Sequence, residues 1–475
     1  MIRKIILGAL LLLVVGGAAF AQMGPGAMGL GDDYFPNLGN GGYDVQHYTL
    51  DLDVDVETNT IIAHVTIEAI ATQDLSQFTL DFGDFNIRGL TVNDQLAVYL
   101  QDGTEFTVRP VEPLPNGEPF TVDIRYIGTP EPIQHVIGAI GWINYGEDVY
   151  VASEPAGAAS FYPVNDHPLD KATYSFRITV PEPYVVAANG LLQDTITEDG
   201  DTTYVWEASD PMASYLVTIN IGDFVVQTGE GPDGLPIRNY FPSHLAAEGE
   251  AAFARQPEML ELFTELFGPY PFEAYGAVVV DRVLPFALET QTLSLFGTGI
   301  LDGETSGSTP DELIVAHELA HQWFGDSVSL SQWREIWLNE GFATYAQLLW
   351  VEHSQGEEAF EANIAGYYSF IANPVFITQG TSAPGNPPPD ELFASAVYVR
   401  GALTLHALRL RVGDEVFFDI LRTYAERYRY GNSSTADFVA LAEEVSGEEL
   451  SALFNAWLYD PVIPDMPELG LSAPE

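Results

Sequence analysis

The chain has 475 residues, with 68 Asp and Glu against 17 Lys and Arg, a formal charge of −51. So acidic a balance argues against nucleic acid or an anionic membrane surface as partner, because phosphate recognition is built from cations. There is no cysteine, which excludes disulfides and lipidated cysteines and leaves stability to the hydrophobic core.

In chain order, Met1-Ile2-Arg3-Lys4 precedes an apolar run from Ile5 to Val15 and then Ala19-Phe20-Ala21, a small-x-small site. Residues 1–21 read as a secretory signal peptide, so the mature chain is expected outside the cytoplasm, extracellular or periplasmic. The run is short for a spanning helix, and no stable membrane insertion is expected after cleavage; an uncleaved anchor is the alternative. Residues 22–42, rich in Gly, Pro and Met and without periodicity, read as a flexible leader.

Alternation then begins. Tyr48, Leu50, Leu52, Val54 and Val56 interleave with Thr49, Asp51, Asp53 and Asp55, the pattern of a half-buried strand, and Ile61 to Ala69 repeats it. Further strand patterns run to residue 228, so residues 43–228 read as a mostly antiparallel β domain. From residue 229 to 460 helical patterns dominate, at 246–266, 311–323, 333–351, 357–371, 394–411, 415–428, 435–445 and 448–458, with one or two strands near 276–281 and 290–296. Residues 461–475 read as a tail. The fold class is α+β, in several domains.

The stretch His317-Glu318-Leu319-Ala320-His321 carries the chemistry. Two histidines four apart lie one helical turn apart on one face, where their imidazoles can grip Zn²⁺. Glu318 beside them can take a proton from water. Nine histidines in 475 residues would give this pattern by chance roughly 0.01 times. A zinc hydrolase needs a third protein ligand and an open position. Position 327 is Ser, which excludes a third histidine six residues on. Glu340, in Trp337-Leu338-Asn339-Glu340-Gly341, follows His321 after eighteen residues, enough for one helix to end near Gly325 and a second to return beside it.

His-Glu-Leu-Ala-His-Gln-Trp-Phe-Gly, eighteen residues between the second His and Glu340, and Trp-Leu-Asn-Glu-Gly-Phe-Ala resemble the zinc aminopeptidases of the aminopeptidase N and leukotriene hydrolase type, over about residues 43–460. The resemblance implies a saddle-like N-terminal β domain and a thermolysin-like, mainly helical catalytic domain. It implies one Zn²⁺ on His317, His321 and Glu340, with Glu318 as general base and acid. Tyr398-Val399-Arg400-Gly401 matches the family's Tyr-x-basic-Gly pattern and makes Tyr398 the hydroxyl donor to the tetrahedral oxyanion. Phe286-Ala287-Leu288-Glu289-Thr290 stands where the family has Gly-Ala-Met-Glu-Asn; only Ala287 and Glu289 match, and Glu289 is the implied partner of a substrate α-ammonium. Glu154, before Phe161-Tyr162-Pro163-Val164-Asn165-Asp166, falls on a second amine-binding position, and Asp166 and Lys171 read as a structural pair at a domain seam. Many relatives add a further domain over the site; with the chain ending at residue 475, the expectation is a wider approach, or an incomplete product. Trp323, Trp333 and Trp337 are expected to pack the two metal-bearing helices together, and the remaining histidines to be structural.

Together these features point to a secreted zinc aminopeptidase acting on peptides. A zinc endopeptidase of thermolysin-like type and a non-catalytic peptide-binding module on the same fold are the alternatives. Oligomeric state and the preferred N-terminal residue are not legible.

Overall fold

The computed structural model describes residues 24–135, 138–301, 311–373 and 383–472. The segment read as a signal peptide lies outside them. Among the described residues, no helix is long and apolar enough to cross a membrane.

The alternating stretches form the middle of an eight-stranded sheet. β1 (Tyr43–Asp55) and β2 (Thr60–Ala71) pair antiparallel, with β3 (Pro119–Gly128) beside β2. Period-two alternation buries Leu50, Leu52 and Val54 while Asp51, Asp53 and Asp55 face outward. A short strand, β4 (Val149–Ala152), belongs to a second sheet of five strands. The chain then returns as β5 (Ala172–Pro181) and β6 (Asp201–Met212), giving the order β6-β5-β1-β2-β3. β5 runs parallel to β1, the one departure from antiparallel pairing in that run.

β7 (Pro236–Pro242), β8 (Tyr275–Val280) and β9 (Ser294–Gly297) form a third, mixed sheet with Phe224–Glu230. Phe224–Glu230 was expected in the first domain, but it pairs antiparallel with β7. The second and third sheets therefore part between Gly222 and Phe224. The strand expected from residue 290 starts only at Ser294, because Thr292 takes a positive φ of 66° and turns the chain.

Two helices, α1 (Ala246–Ala252) and α2 (Gln256–Phe267), replace the single one expected over 246–266. Pro257 has no N–H to continue α1 but fits the first turn of α2. Next come α3 (Asp311–Ala320) and, after a 3₁₀ turn at Trp333–Glu335, α4 (Trp337–Gln355). α5 (Glu357–Ile371), α6 (Ser395–Val412), α7 (Asp414–Arg427), α8 (Thr435–Ser446) and α9 (Ser451–Leu458) complete the domain. α6 crosses α4 where Gly341 meets Gly401, and only the absence of side chains lets the two backbones come so near. Past α9 the chain stays packed, with Ile463 and Met466 buried.

The leader reading is corrected over residues 24–42. Gly24–Pro25 pairs parallel with Leu75–Asp81, Met28 bridges to Asn40, and both Asp32 and Asn40 are buried. The Asn165 side chain holds Asn40 from both sides, accepting from its N–H at 2.5 Å and donating to its carbonyl at 3.0 Å. The segment lacks periodicity because its order comes from strand pairing and polar partners elsewhere in the chain, Asn165 among them, and not from a repeating apolar face. The tryptophans also differ from expectation. Trp323 packs on Phe263, Phe267 and Tyr270, Trp333 on Phe35 and Tyr215, and Trp337 on Phe342 and Phe438. They wedge α3 and α4 against the rest of the core more than against each other.

Candidate active site

α3 presents His317, and the turn at its end presents His321, whose N–H bonds back to the His317 carbonyl at 3.3 Å, so that the two ring centroids stand 4.7 Å apart. α4 brings Glu340 to them: its Oε2 lies 3.2 Å from His317 Nε2 and 3.5 Å from His321 Nε2. Donor atoms about 2.1 Å from a tetrahedral ion stand about 3.4 Å from one another. Two imidazoles and one carboxylate at this spacing therefore fit zinc, and all three ligand atoms lie within 4.8 Å of one another. The Nδ1 of His321 is 3.0 Å from the Phe324 carbonyl. Donating its proton there leaves Nε2 with a lone pair toward the metal position.

The electrostatics follow from burial beside charge. Burial alone would raise the Glu340 carboxyl, but His321 and His317 outweigh it and hold it at about 2. Burial lowers His317 and keeps it neutral, as a ligand must be. Burial pushes Glu318 well above the usual carboxylate range, and Glu289 and Glu340 add to the shift. Glu154 rises for the same reason, first from burial and then from the Glu289 charge.

The residues singled out from sequence meet at one cavity of about 520 Å³: Glu154, Ala287, Glu289, His317, Glu318, His321, Glu340 and Tyr398 all line it. Tyr398, on the first turn of α6, lies over His317 with ring centroids 6.0 Å apart, placed there by the close crossing of α6 and α4. Glu289 is 2% exposed, and Glu154 enters from the loop after β4 with its Oε1 buried and without a hydrogen-bond partner. Four buried carboxyls around one void, Glu154, Glu289, Glu318 and Glu340, one of them with an unmet acceptor, call for a cation. Apolar side chains complete the lining, among them Ile140, Phe286, Ile314 and Phe393.

Some contributors carry no local signature. Gln322 donates through Nε2 to the Glu289 carbonyl at 2.9 Å and accepts Thr292 N–H at 2.8 Å, fixing the Glu289 segment to α3. It directly follows His321, and that adjacency was the available signal. Tyr215 sets its hydroxyl 3.5 Å from Glu289 Oε1, from a segment with no motif around it. The expected pairing of Asp166 with Lys171 does not occur. Lys171 Nζ donates to the carbonyls of Asp326 and Ser327 at 2.8 and 3.0 Å, bracing the turn after the histidine helix from the β domain. Asp166 instead accepts from the Ser214 hydroxyl at 2.7 Å. Each satisfies buried polar groups nearer to it than the other's charge.

Comparison with known proteins agrees with this layout. Residues 44–216 match the peptidase M1 N-terminal domain and residues 251–457 the peptidase family M1 domain. The fold is similar to that of an M1 zinc metallopeptidase from Deinococcus radiodurans solved with a Tyr-Ser-Ala substrate, with a TM-score of 0.84 and 33% identity, covering 93% of this chain and 100% of that one. Aminopeptidase M1 of Arabidopsis thaliana is 30% identical over 320 residues, 64% of this chain and 36% of the plant protein. Leukotriene A-4 hydrolase of Xenopus laevis is 24% identical over 453 residues, 89% of this chain and 72% of that protein. The chain thus spans about a third of the length of the plant relative it matches.

Proposed function

From the membership of this chain in the M1 family of zinc metallopeptidases, we propose that it is an aminopeptidase, releasing single residues from the free amino termini of peptides, and that it works outside the cytoplasm. The observation that carries the exopeptidase reading is the pair Glu289 and Glu154, buried in the wall of the same cavity as His317, His321 and Glu340. A buried ammonium needs carboxylate partners, and a peptide whose α-amine is held there must offer its first peptide bond to the metal position. Export rests on the Ile5–Val15 run and the Ala19-Phe20-Ala21 site.

When bound, zinc on His317, His321 and Glu340 supplies Lewis acidity toward water and the scissile carbonyl. The protein does the rest. Burial, with the Glu289 and Glu340 charges, raises the proton affinity of Glu318, so that in its ionised form it accepts the proton of the attacking water and carries it to the departing amine. Tyr398 holds its proton, since burial and then the Glu340 charge raise its hydroxyl, and can donate a hydrogen bond to the developing oxyanion. Glu289 and Glu154 hold the ammonium and set the register.

The test compares one peptide with free and with acetylated amino terminus. Cleavage of the free form alone, one residue at a time, is expected. Equal cleavage of both would replace the proposal with an endopeptidase. No hydrolysis of any peptide by zinc-loaded protein would leave only a binding module.

A further inference from the structure

The 3₁₀ turn that leads into the helix of Glu340 has no side-chain cap of its own. Gln332, just before the Trp333–Glu335 turn, makes no side-chain capping bond, and neither does Ile336 before α4. A first-turn N–H left open in a buried position is costly, so a partner must come from elsewhere. It comes from the N-terminal strap, where Asp32 Oδ2 accepts Trp333 N–H at 2.8 Å.

Asp32 is 3% exposed and fully engaged. Its Oδ1 accepts from Tyr34 N–H at 2.8 Å and Phe35 N–H at 2.9 Å, so the strap turns around the same carboxylate. Its Oδ2 also lies 3.5 Å from His167 Nε2. His167 Nδ1 is 3.1 Å from Leu169 N–H and accepts from it, so the ring proton sits on Nε2, facing Asp32. Burial alone would raise the Asp32 carboxyl, but His167 and the three backbone donors outweigh it and hold it below its ordinary value.

This carboxylate joins three parts of the molecule. His167 belongs to the β-domain segment between Glu154 and Lys171. Trp333 starts the turn into the helix bearing Glu340, two helical turns further on. The Trp333 ring rests edge-on against Tyr215, 5.3 Å between centroids, and Tyr215 reaches both Glu289 and, through the Asn339 side-chain amide at 3.4 Å, the residue next to Glu340.

We propose that Asp32 is a positioning residue for the metal centre: by capping Trp333 from the N-terminal strap and engaging His167, it sets where α4 presents Glu340. The proposal rests on zinc binding as read above and concerns geometry, not chemistry at Asp32 itself. Asp32→Asn is the discriminating change. The amide oxygen can keep the turn onto Tyr34 and Phe35, but the amide nitrogen then faces Trp333 N–H, donor against donor.

The experiment uses the full chain. Zinc affinity is measured by competition with a chromophoric chelator, and kcat and KM with an aminoacyl reporter at saturating zinc, for wild type, Asp32→Asn and the exposed control Glu250→Ala. Outer partners of metal ligands typically alter affinity by about 10- to 100-fold. Asp32→Asn is expected to weaken zinc binding by about 10-fold and to lower kcat more than it raises KM, while Glu250→Ala stays within about twofold. Zinc affinity within about twofold of wild type in Asp32→Asn, whatever its melting point, overturns the proposal. Should that variant not fold, Phe35→Leu loosens the strap on the Trp333 ring and is read the same way: a several-fold loss of zinc affinity supports the proposal, and none overturns it. Wild-type protein that takes up no zinc overturns the underlying reading instead, so the two failures are told apart.

Discussion

A methyl group placed on Gly341 would stand 2.9 Å from the Cα of Gly401. That contact lets the helix of Glu340 and the helix of Tyr398 cross nearly backbone to backbone, and it brings a hydroxyl and a metal ligand to the same cavity. Gly401→Ala is expected to destabilise the protein by about 1–3 kcal/mol, because a packed backbone has nowhere to yield. Urea unfolding measures it, and activity of the surviving folded fraction should fall as Tyr398 moves away.

Glu318→Gln keeps the size of the side chain and removes its capacity to carry a proton. A fall in kcat of about 10²–10⁴ with zinc content unchanged is expected. Metal analysis and peptide hydrolysis on the same preparation decide it. Unchanged hydrolysis would exclude Glu318 as the base.

Tyr398→Phe removes one donor and nothing else of the ring that lies over His317. The expected loss is about 10²–10³ in kcat with little change in KM, the pattern of a bond made only as the oxyanion forms. A change confined to KM would mean that the hydroxyl binds substrate instead.

Much of this site was legible because its chemistry is written in short spacings. His317 and His321 share a helical face, and Glu340 sits at a fixed remove. Tyr398 and Glu289 were reached only through likeness to a family, since one tyrosine on an amphipathic helix or one acid near a strand has no spacing of its own. The supporting contacts were not legible at all. Tyr215, Lys171 and Asp32 each act on a partner more than a hundred residues away, and no local period registers such a contact. The fold shows the same divide. Alternation located β1 and β2, whereas residues 24–42 looked loose because their order depends on Asn165, His167 and Trp333.

Removing either carboxylate proposed to hold the substrate amine should cost more than a surface charge would. Glu289→Ala and Glu154→Ala are each expected to lower kcat/KM for free peptides by about 10- to 100-fold, as for a charge-assisted bond of about 1.5–3 kcal/mol. The acetylated peptide, already poor, should change little. Initial rates across a peptide series measure the ratio. Equal loss for both peptides would place these acids in support of the metal instead.

Asp170 gives the stability a pH signature. It accepts Val45 N–H at 3.0 Å and the Asn165 side-chain amide at 2.5 Å, and burial raises its carboxyl from 3.8 to about 8. A carboxyl that holds its proton more tightly when folded contributes stability that is complete below the unfolded value of 3.8 and is lost as pH rises through about 8. Wild type should therefore melt at a lower temperature at about pH 8.5 than at about pH 5, and Asp170→Asn should flatten that slope. Calorimetry across the range tests it, and an unaltered slope in the variant would assign the effect to other groups.

The bond from Trp333 N–H to Asp32 spans 301 residues of chain. During synthesis Asp32 emerges and waits, charged and solvated, while almost the whole protein follows it. Its burial comes only when the helix that will carry Glu340 has been made and docked. The helix of Glu340 and the strap thus complete one another at a late stage of assembly, and a nascent chain has no finished zinc site until Asp32 and Trp333 have met.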